Sequence, residues 1–193
     1  MLNIILFGPP GSGKGTQAAM LKDQFNLLHI STGDIFRSEI AHQTPLGLEA
    51  KSYLDKGVLV PDDVTIRMLA GFVYEHTTEL TRGIIFDGFP RTVPQAEALD
   101  HFLDNRRTPV TIVLSLEVDE NELVRRLIKR GQTSGRTDDA NEEVVRHRLH
   151  VYSEQTSPLK SFYDKQKKFV EINGVGSVDE IFNKLCEEIN QLA

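Results

Sequence analysis

The sequence is poor in cysteine and in long apolar runs, and each shortage excludes a class of protein. Its single cysteine, Cys186, rules out an internal disulfide and suits a reducing compartment. No stretch approaches the roughly 18 consecutive apolar residues of a membrane-spanning helix. The first seven residues lack a basic start and meet Gly-Pro-Pro-Gly too early for a signal peptide, so we expect a cytoplasmic protein.

Positive charge is also in deficit, because 22 Lys and Arg face 28 Asp and Glu, for a net charge of −6. This balance argues against a nonspecific nucleic-acid or membrane-surface binder. It leaves room for small polyanionic ligands, which respond to local charge. A chain of 193 residues, 39% of them hydrophobic, can form one sizeable core with a small appended lobe. No spare apolar stripe demands a partner, so we expect a monomer.

Short apolar runs alternate with helical periodicity along the chain, which predicts an α/β fold with a parallel sheet flanked by helices. The strands are predicted at Leu2–Phe7, Leu27–Ile30, Ile84–Phe86, Thr111–Leu116 and Phe169–Ile172. The helices are predicted at Gly15–Gln24, Asp34–Ala41, Asp62–Tyr74, Gln95–Asn105, Glu120–Lys129, Asn141–Gln166 and Val178–Leu192. Cys186 falls on an apolar stripe of the last helix, so its thiol is predicted to be buried.

Two segments depart from this alternation. Residues 31–61 form a helical excursion between the second strand and the next core helix, and Ser31 with Asp34 predicts that a helix starts there. Residues 131–139 are short, polar and bounded by glycines, as a mobile loop would be. The core domain then comprises residues 1–30, 62–130 and 140–193.

A glycine-rich segment, Gly8-Pro9-Pro10-Gly11-Ser12-Gly13-Lys14, follows the first strand and opens the first helix. Glycines let the backbone turn tightly enough for several N–H groups to point at one anion, and the helix adds its positive end. Lys14 adds a full charge against a nucleotide's β and γ phosphates. The pattern predicts a P-loop. The residue after Lys14 is Gly15, however, so the hydroxyl that usually follows the lysine arrives one place late, as Thr16.

Five motifs in order resemble the adenylate kinase family of nucleoside monophosphate kinases. They are Gly13-Lys14-Gly15-Thr16-Gln17, Ser31-Thr32-Gly33-Asp34-Ile35-Phe36-Arg37, Asp87-Gly88-Phe89-Pro90-Arg91, Gly135-Arg136-Thr137-Asp138-Asp139 and Arg146-His147-Arg148-Leu149. The resemblance covers nearly the whole chain. It implies a P-loop NTPase-type sheet, a monophosphate-binding arm at residues 31–61 and a short lid at residues 131–139.

The resemblance implies that the glycine-rich loop holds ATP, with Arg126 beneath the adenine and Arg130 on the phosphates. The expected ATP-binding residues are Gly11, Ser12, Gly13, Lys14, Gly15, Thr16, Arg126 and Arg130. Asp87 ends an apolar run at the carboxyl edge of the sheet, where a carboxylate can hold Mg²⁺ directly or through waters. With Thr16 it forms the expected magnesium site.

On the acceptor side the resemblance implies that Gln95 contacts the adenine edge of AMP and that Thr32 lies near the base. The expected AMP-binding residues are Thr32, Arg37, Val58, Leu59, Val60, Gly88, Arg91, Gln95, Arg136 and Arg148. The expected catalytic residues are Lys14, Arg91, Arg130, Arg136 and Arg148. Arg146 lies two residues from Arg148 on a helix, so the two cannot face one ligand and Arg146 is expected to face solvent.

The implied reaction is Mg-ATP + AMP ⇌ 2 ADP. The partners are then the nucleotides ATP, AMP and ADP, without nucleic acid or membrane. The predicted lid is short and free of cysteine, and the six histidines form no convincing metal set, so no structural zinc is expected.

Three alternatives stay open at this point. UMP/CMP kinase relatives commonly carry Asn in place of Asp87 and Ala in place of Thr32, which favours AMP here. A GTP-dependent switch needs an Asn-Lys-x-Asp element, and the only Asn-Lys pair, Asn183-Lys184, lacks the Asp. A catalytically silent nucleotide-binding module is disfavoured by the retention of Lys14, Asp87 and the arginines.

Overall fold

The computed structural model describes residues 1–78 and 80–192, and its strands and helices alternate as predicted. The strands are β1 (Leu2–Phe7), β2 (Leu28–Ser31), β3 (Gly83–Asp87), β4 (Ile112–Glu117) and β5 (Phe169–Asn173). The α-helices are α1 (Lys14–Phe25), α2 (Thr32–Ala41), α3 (Pro45–Leu54), α4 (Asp62–His76), α5 (Val93–Asn105), α6 (Glu120–Ser134), α7 (Glu142–Val151), α8 (Leu159–Asp164) and α9 (Val178–Asn190). No helix in the described ranges is both long and apolar enough to cross a membrane.

The five strands form one parallel sheet in the order β2-β3-β1-β4-β5, which confirms the predicted fold class. Parallel register brings the carboxyl ends of the central strands to one edge. Asp87 at the end of β3 pairs with Leu6 on one side and with Ser31 on the other. The loop after β1, the start of α2 and the Asp87 carboxylate therefore meet at that edge.

Strand β1 shows why the sheet is covered on both faces. Ile5 and Phe7 belong to a buried cluster with residues of α4, α5 and α8, whereas Ile4 and Leu6 belong to a second cluster with residues of α1 and α9. Because successive side chains of a strand point to opposite faces, its unbroken apolar run serves two cores at once.

Two smaller clusters lie away from the sheet. One joins α6 to α7 through residues such as Leu127 and Val145. The other joins α2, α3 and the start of α4 through Phe36, Ala50 and Val64. Each group of helices therefore has its own small core.

Several predicted bounds were wrong. Helix α6 continues to Ser134 instead of ending at Lys129, so the first four residues of the predicted loop 131–139 are helical. The single helix predicted at Asn141–Gln166 is interrupted by a π-helical turn at Tyr152–Thr156 and by Pro158 before α8. Helix α5 starts two residues earlier than predicted, because Thr92 caps it by accepting from the Gln95 N–H.

Cys186 lies on α9 as predicted, but it is half-buried against the second cluster. This partial burial raises the pKa of its thiol. Its burial was overestimated from the apolar stripe, which identifies the face of a helix more reliably than the depth of one residue.

Two helical glycines make a matched test of packing. A Cβ on Gly47 in α3 would lie 2.2 Å from the Glu39 carbonyl oxygen, whereas a Cβ on exposed Gly71 in α4 would meet nothing within 4 Å. We expect Gly47→Ala to lower the free energy of unfolding by about 1–3 kcal/mol through overpacking. Gly71→Ala should raise it by about 0.5–1 kcal/mol through helix propensity. Urea unfolding measures both, and shifts of the same sign would contradict this account.

Candidate active site

A cavity of about 520 Å³ opens at the carboxyl edge of the sheet. The loop between β1 and α1 forms its floor, and Asp87 stands beside that loop. Its remaining walls come from α2, from residues 54–59, from the segment around Arg136 and from α7. The pocket thus lies where ligands of open α/β sheets bind.

The glycine-rich loop has the backbone that its composition predicts. Gly8, Gly11 and Gly13 have φ values of 135°, 85° and 98°, which non-glycine residues rarely adopt. The Lys14 ammonium donates to the carbonyl oxygens of Gly8 at 2.6 Å and Pro9 at 2.9 Å. The first turn of α1 contains no acidic residue, so its positive end stays available to an anion.

Positive charge is concentrated in this pocket although the chain is acidic. Its lining includes Lys14, Arg37, Arg91, Arg130, Arg136 and Arg148. Burial, opposed by the Asp87 charge and reinforced by neighbouring arginines, lowers the pKa of Lys14 to about 8. Burial and Arg148 lower the pKa of Arg91 to about 10. Both groups stay mainly charged at neutral pH, and a bound polyanion would relieve their mutual repulsion.

Asp87 and Thr16 line the same pocket and offer a carboxylate and a hydroxyl, the hard oxygen ligands that Mg²⁺ prefers. The P-loop backbone lies close to the carboxylate, because a Cβ on Gly15 would be 3.8 Å from Asp87 Oδ2. These residues therefore fit a magnesium ion. His29 Nε2 lies 3.6 Å from Asp87 Oδ2. The described residues contain no cluster of three or more His, Cys, Asp or Glu side chains arranged to hold a metal.

A much smaller second pocket, of about 20 Å³, adjoins the first between α2 and α5. It is lined by Thr32, Gly33, Phe36, Leu54, Leu59, Val60, Thr65, Gly88, Arg91 and Gln95. Five residues line both pockets, and they are Gly33, Leu54, Leu59, Gly88 and Arg91. The Thr32 hydroxyl donates to the Gly88 carbonyl at 2.8 Å, which ties the start of α2 to the turn after β3.

Arg91 is held mainly through its backbone. Its N–H donates to Gln95 Oε1 at 2.8 Å, and its carbonyl accepts from the Thr156 hydroxyl at 2.9 Å. Its side-chain Nε donates to the Gly88 carbonyl at 2.7 Å. Because these partners are neutral, they hold Arg91 at the junction of the two pockets without offsetting the positive charge of its guanidinium.

Asp139 connects two other arginines of the pocket. Its carboxylate is fully buried and accepts from Arg130 Nε and from an Arg148 N–H, both at 2.5 Å. Those hydrogen bonds and charges outweigh its burial and hold the pKa of the Asp139 carboxyl below its usual value. Asp138 adds an ion pair with Arg148 at 2.9 Å.

The predicted arm and lid segments also touch each other. Arg136 lies 3.7 Å from Asp34, and the Thr137 hydroxyl donates to Asp55 at 3.3 Å. Gly57 packs against the Arg148 side chain so closely that a Cβ would lie 2.8 Å from Arg148 Cγ. The two segments thus meet over the larger pocket.

The structure brings most of the predicted site residues together. The larger pocket takes Gly11, Gly13, Lys14, Gly15, Thr16, Arg37, Val58, Leu59, Asp87, Gly88, Arg91, Arg130, Arg136 and Arg148, and the smaller one takes Thr32, Val60 and Gln95. Ser12 and Arg126 line neither pocket. Ser12 is a buried residue of the loop itself, and Arg126 donates to Glu122 at 2.7 Å and lies 3.5 Å from the Gly174 carbonyl. Arg146 pairs with Glu142 at an exposed position, as predicted.

Sequence reasoning does not predict three residues that contribute to the site. Asp62 binds Gln95, Thr156 binds the Arg91 carbonyl, and His29 faces Asp87. Asp62 reads as an ordinary helix-starting carboxylate, and Thr156 as one residue of a long helix. Only His29 could be found from the sequence, because it lies near the carboxyl end of the second predicted strand, close to the edge of the sheet at which Asp87 is expected.

The P-loop, the parallel sheet and the two adjoining pockets define a P-loop phosphotransferase of the nucleoside monophosphate kinase class. A family model described as "Adenylate kinase" matches residues 6–168. The chain is similar to the adenylate kinases of Flavobacterium psychrophilum at 53% identity, Bacteroides thetaiotaomicron at 52% and Bacteroides fragilis at 49%, each over the full length of both proteins. The chain therefore belongs to the adenylate kinase family.

Replacing Asp139 tests its role in holding Arg130 and Arg148. Asp139→Asn should lower the free energy of unfolding at pH 7 by about 2–3 kcal/mol, because two cations lose a buried counter-charge. Since the folded state lowers the pKa of Asp139, its contribution is present above the ordinary carboxyl value near 4 and is lost as the pH falls below it. Urea unfolding followed from pH 7 to well below pH 3.5 should show a constant difference between the two proteins above about pH 5 and convergence only below about pH 4.

The neighbouring variant Asp138→Asn is the matched control for that experiment. Asp138 pairs with Arg148 but not with Arg130, so its loss should be the smaller of the two. An equal loss for both variants, or a difference from wild type that stays constant across the pH range, would contradict the role given to Asp139.

Proposed function

We propose that this enzyme transfers a phosphoryl group reversibly between Mg-ATP and AMP, giving two ADP. The observation that carries the proposal is the pair of adjoining pockets that share Gly88 and Arg91, one of them built on the P-loop. Two phosphate-bearing substrates that meet at a shared arginine need this arrangement. The names of the curated relatives support the adenine nucleotides as the pair.

On the donor side, the P-loop N–H groups and Lys14 would cradle the β and γ phosphates of ATP. Gly11, Ser12, Gly13, Gly15 and Thr16 would complete that cradle, with Arg130 on the phosphates. Arg126 would lie beneath the adenine, for which it must exchange its contact with Glu122. These partly buried cations supply fixed positive charge where the transferred group develops negative charge.

On the acceptor side, Arg37, Arg91, Arg136 and Arg148 would clamp the phosphate of AMP. A phosphate monoester has a second pKa near 6 and is already largely dianionic at neutral pH, so it needs no general base. The task is to align two anions without water. Thr32, Val58, Leu59, Val60, Gly88 and Gln95 would enclose the nucleoside, with Gln95 at the adenine edge.

Asp87 and Thr16 would hold Mg²⁺, directly or through waters. When bound, the ion would neutralise charge on the transferred phosphates and help to orient them. The absence of a structural zinc, the monomeric state and the cytoplasmic location stay predictions.

Residues 31–61 would act as an acceptor-binding arm and residues 131–139 as a short lid on a core of residues 1–30, 62–130 and 140–193. The small cluster that joins α2, α3 and the start of α4 lies apart from the two cores of the sheet, which supports motion of residues 31–61 as a unit. The contacts of Arg136 with Asp34 and of Thr137 with Asp55 would belong to the closed arrangement. Closure would exclude water, which otherwise competes as phosphoryl acceptor.

The choice of acceptor is tested by one assay. ATP consumption is measured with AMP, UMP, CMP, GMP and no added acceptor, each with Mg²⁺. We expect rapid turnover with AMP and ADP as the product of both substrates. Rapid turnover only with another monophosphate would overturn the assignment of AMP, and equal ATP loss without an acceptor would indicate a hydrolase.

The role of Arg91 is tested by Arg91→Lys with Arg146→Lys as the matched control. Lysine cannot reproduce the planar guanidinium fork, so Arg91→Lys should lower kcat by about 100-fold or more while ATP binding changes little. Arg146 pairs with Glu142 on the surface, and its variant should keep near-normal turnover. Steady-state kinetics and ATP titration separate these effects, and near-normal turnover by Arg91→Lys would rule out the role.

A further inference from the structure

Asp62, at the start of α4, reaches across to α5 with both of its carboxylate oxygens. Oδ1 accepts from Gln95 Nε2 at 2.7 Å, and Oδ2 accepts from the Thr92 hydroxyl at 3.0 Å. Thr92 is the residue that caps α5, so the carboxylate is anchored to the same helix end that carries Gln95. Asp62 lines neither pocket.

These contacts give the Gln95 side-chain amide one orientation. Its Oε1 accepts from the Arg91 backbone N–H, which can only donate, and its Nε2 donates to the Asp62 carboxylate, which can only accept when ionised. A 180° flip of the amide would place NH₂ against N–H and carbonyl oxygen against carboxylate. Gln95 is only 1% exposed, so such a flip would set its buried amide against groups with which it cannot form hydrogen bonds.

The locked amide has a fixed polarity toward the smaller pocket that it lines. One N–H of Nε2 and one lone pair of Oε1 remain for a ligand. Adenine presents a ring acceptor, N1, beside an amino donor on C6, which matches a donor and an acceptor in that order. Guanine presents the reverse, an N1–H donor beside the O6 acceptor. A freely turning glutamine could adapt to either base, but a locked one cannot.

We propose that Asp62 is a positioning residue that sets the acceptor-base specificity of this enzyme by fixing the polarity of the Gln95 amide. The inference rests on the proposed function, in which Gln95 contacts the acceptor adenine. Asp62 itself touches no substrate. Its effect belongs to the discrimination between 6-amino and 6-oxo purine monophosphates, because an analogue that leaves buried polar groups unpaired is rejected strongly.

The test is the ratio of kcat/KM for AMP to kcat/KM for GMP. In Asp62→Ala the amide can turn at the loss of one hydrogen bond, so the ratio should fall by about tenfold or more. The fall should appear mainly as a higher KM for AMP with kcat changed by less than about threefold, since the Arg91 guanidinium keeps its hydrogen bond to the Gly88 carbonyl when the amide turns. Asp62→Asn keeps an oxygen for Gln95 Nε2 and should shift the ratio in the same direction by less. It carries the test if the alanine variant fails to fold.

Asp63→Ala is the matched control, because it removes the same charge from the same first turn of α4. Asp63 is exposed and pairs with Arg67 on its own helix at 3.2 Å, away from Gln95. Its variant should leave the AMP-to-GMP ratio unchanged. A shift equal to that of Asp62→Ala would mean that helix charge is responsible and would overturn the proposal, as would an unchanged ratio in Asp62→Ala.

A double variant separates this inference from the function on which it rests. In a Gln95→Leu background, Asp62→Ala should have no further effect on the ratio, because the amide through which it acts is gone. A further effect there would overturn the proposal. If the wild-type enzyme does not use AMP, the proposed function fails, and if Gln95→Leu leaves the KM for AMP unchanged, the contact of Gln95 with the acceptor base fails. If the wild-type enzyme uses AMP and Gln95→Leu raises the KM for AMP, but the Asp62 variants are silent, the inference alone fails.

Discussion

Repulsion among partly buried cations is the constraint on which the rest of this structure depends. Lys14 and Arg91 are partly buried in one pocket of an acidic protein, and loss of hydration there lowers the pKa of both. Such a group is unfavourable to assemble, because each charge loses water and gains like-charged neighbours. The fold tolerates it because each cation is tied to a fixed acceptor, and the loss is recovered when two polyphosphate substrates supply the missing negative charge.

The parallel sheet solves the assembly problem geometrically. The parallel register of β2, β3 and β1 brings Ser31, Asp87 and the P-loop to one edge of the sheet through backbone pairing alone. The remaining arginines arrive on helical segments with small cores of their own, which meet over the pocket through contacts such as Arg136 with Asp34. The edge of the sheet holds the donor loop in place, and the segments that carry the other arginines pack separately from it. This arrangement allows the two substrates to be aligned for the reaction and still be exchanged.

Local patterns gave the strands, most helices and the motifs that line the two pockets, because these features depend on residues close in sequence. They failed where distant contacts decide. Helix α6 runs on through Gly131, which packs so closely on Asp139 that a Cβ would lie 2.4 Å from the Asp139 carbonyl oxygen. The π-helical turn places Thr156 under the Arg91 carbonyl, 65 positions away in the chain. The Asp62–Gln95 hydrogen bond joins two helix starts that are separately unremarkable.

The anchors of the cations divide them into two kinds. Lys14 and Arg91 are held by peptide carbonyls, of Gly8 and Pro9 for the lysine and of Gly88 for the arginine. A neutral carbonyl fixes position without cancelling charge, so these two groups present full charge to a phosphate at no exchange of partners. Arg130 and Arg148 are instead held by the Asp139 carboxylate, and Arg37 by Asp34. Their charge is partly cancelled until a substrate competes for it. The first kind therefore defines where phosphate binds, and the second kind makes the approach of the surrounding segments depend on the ligand.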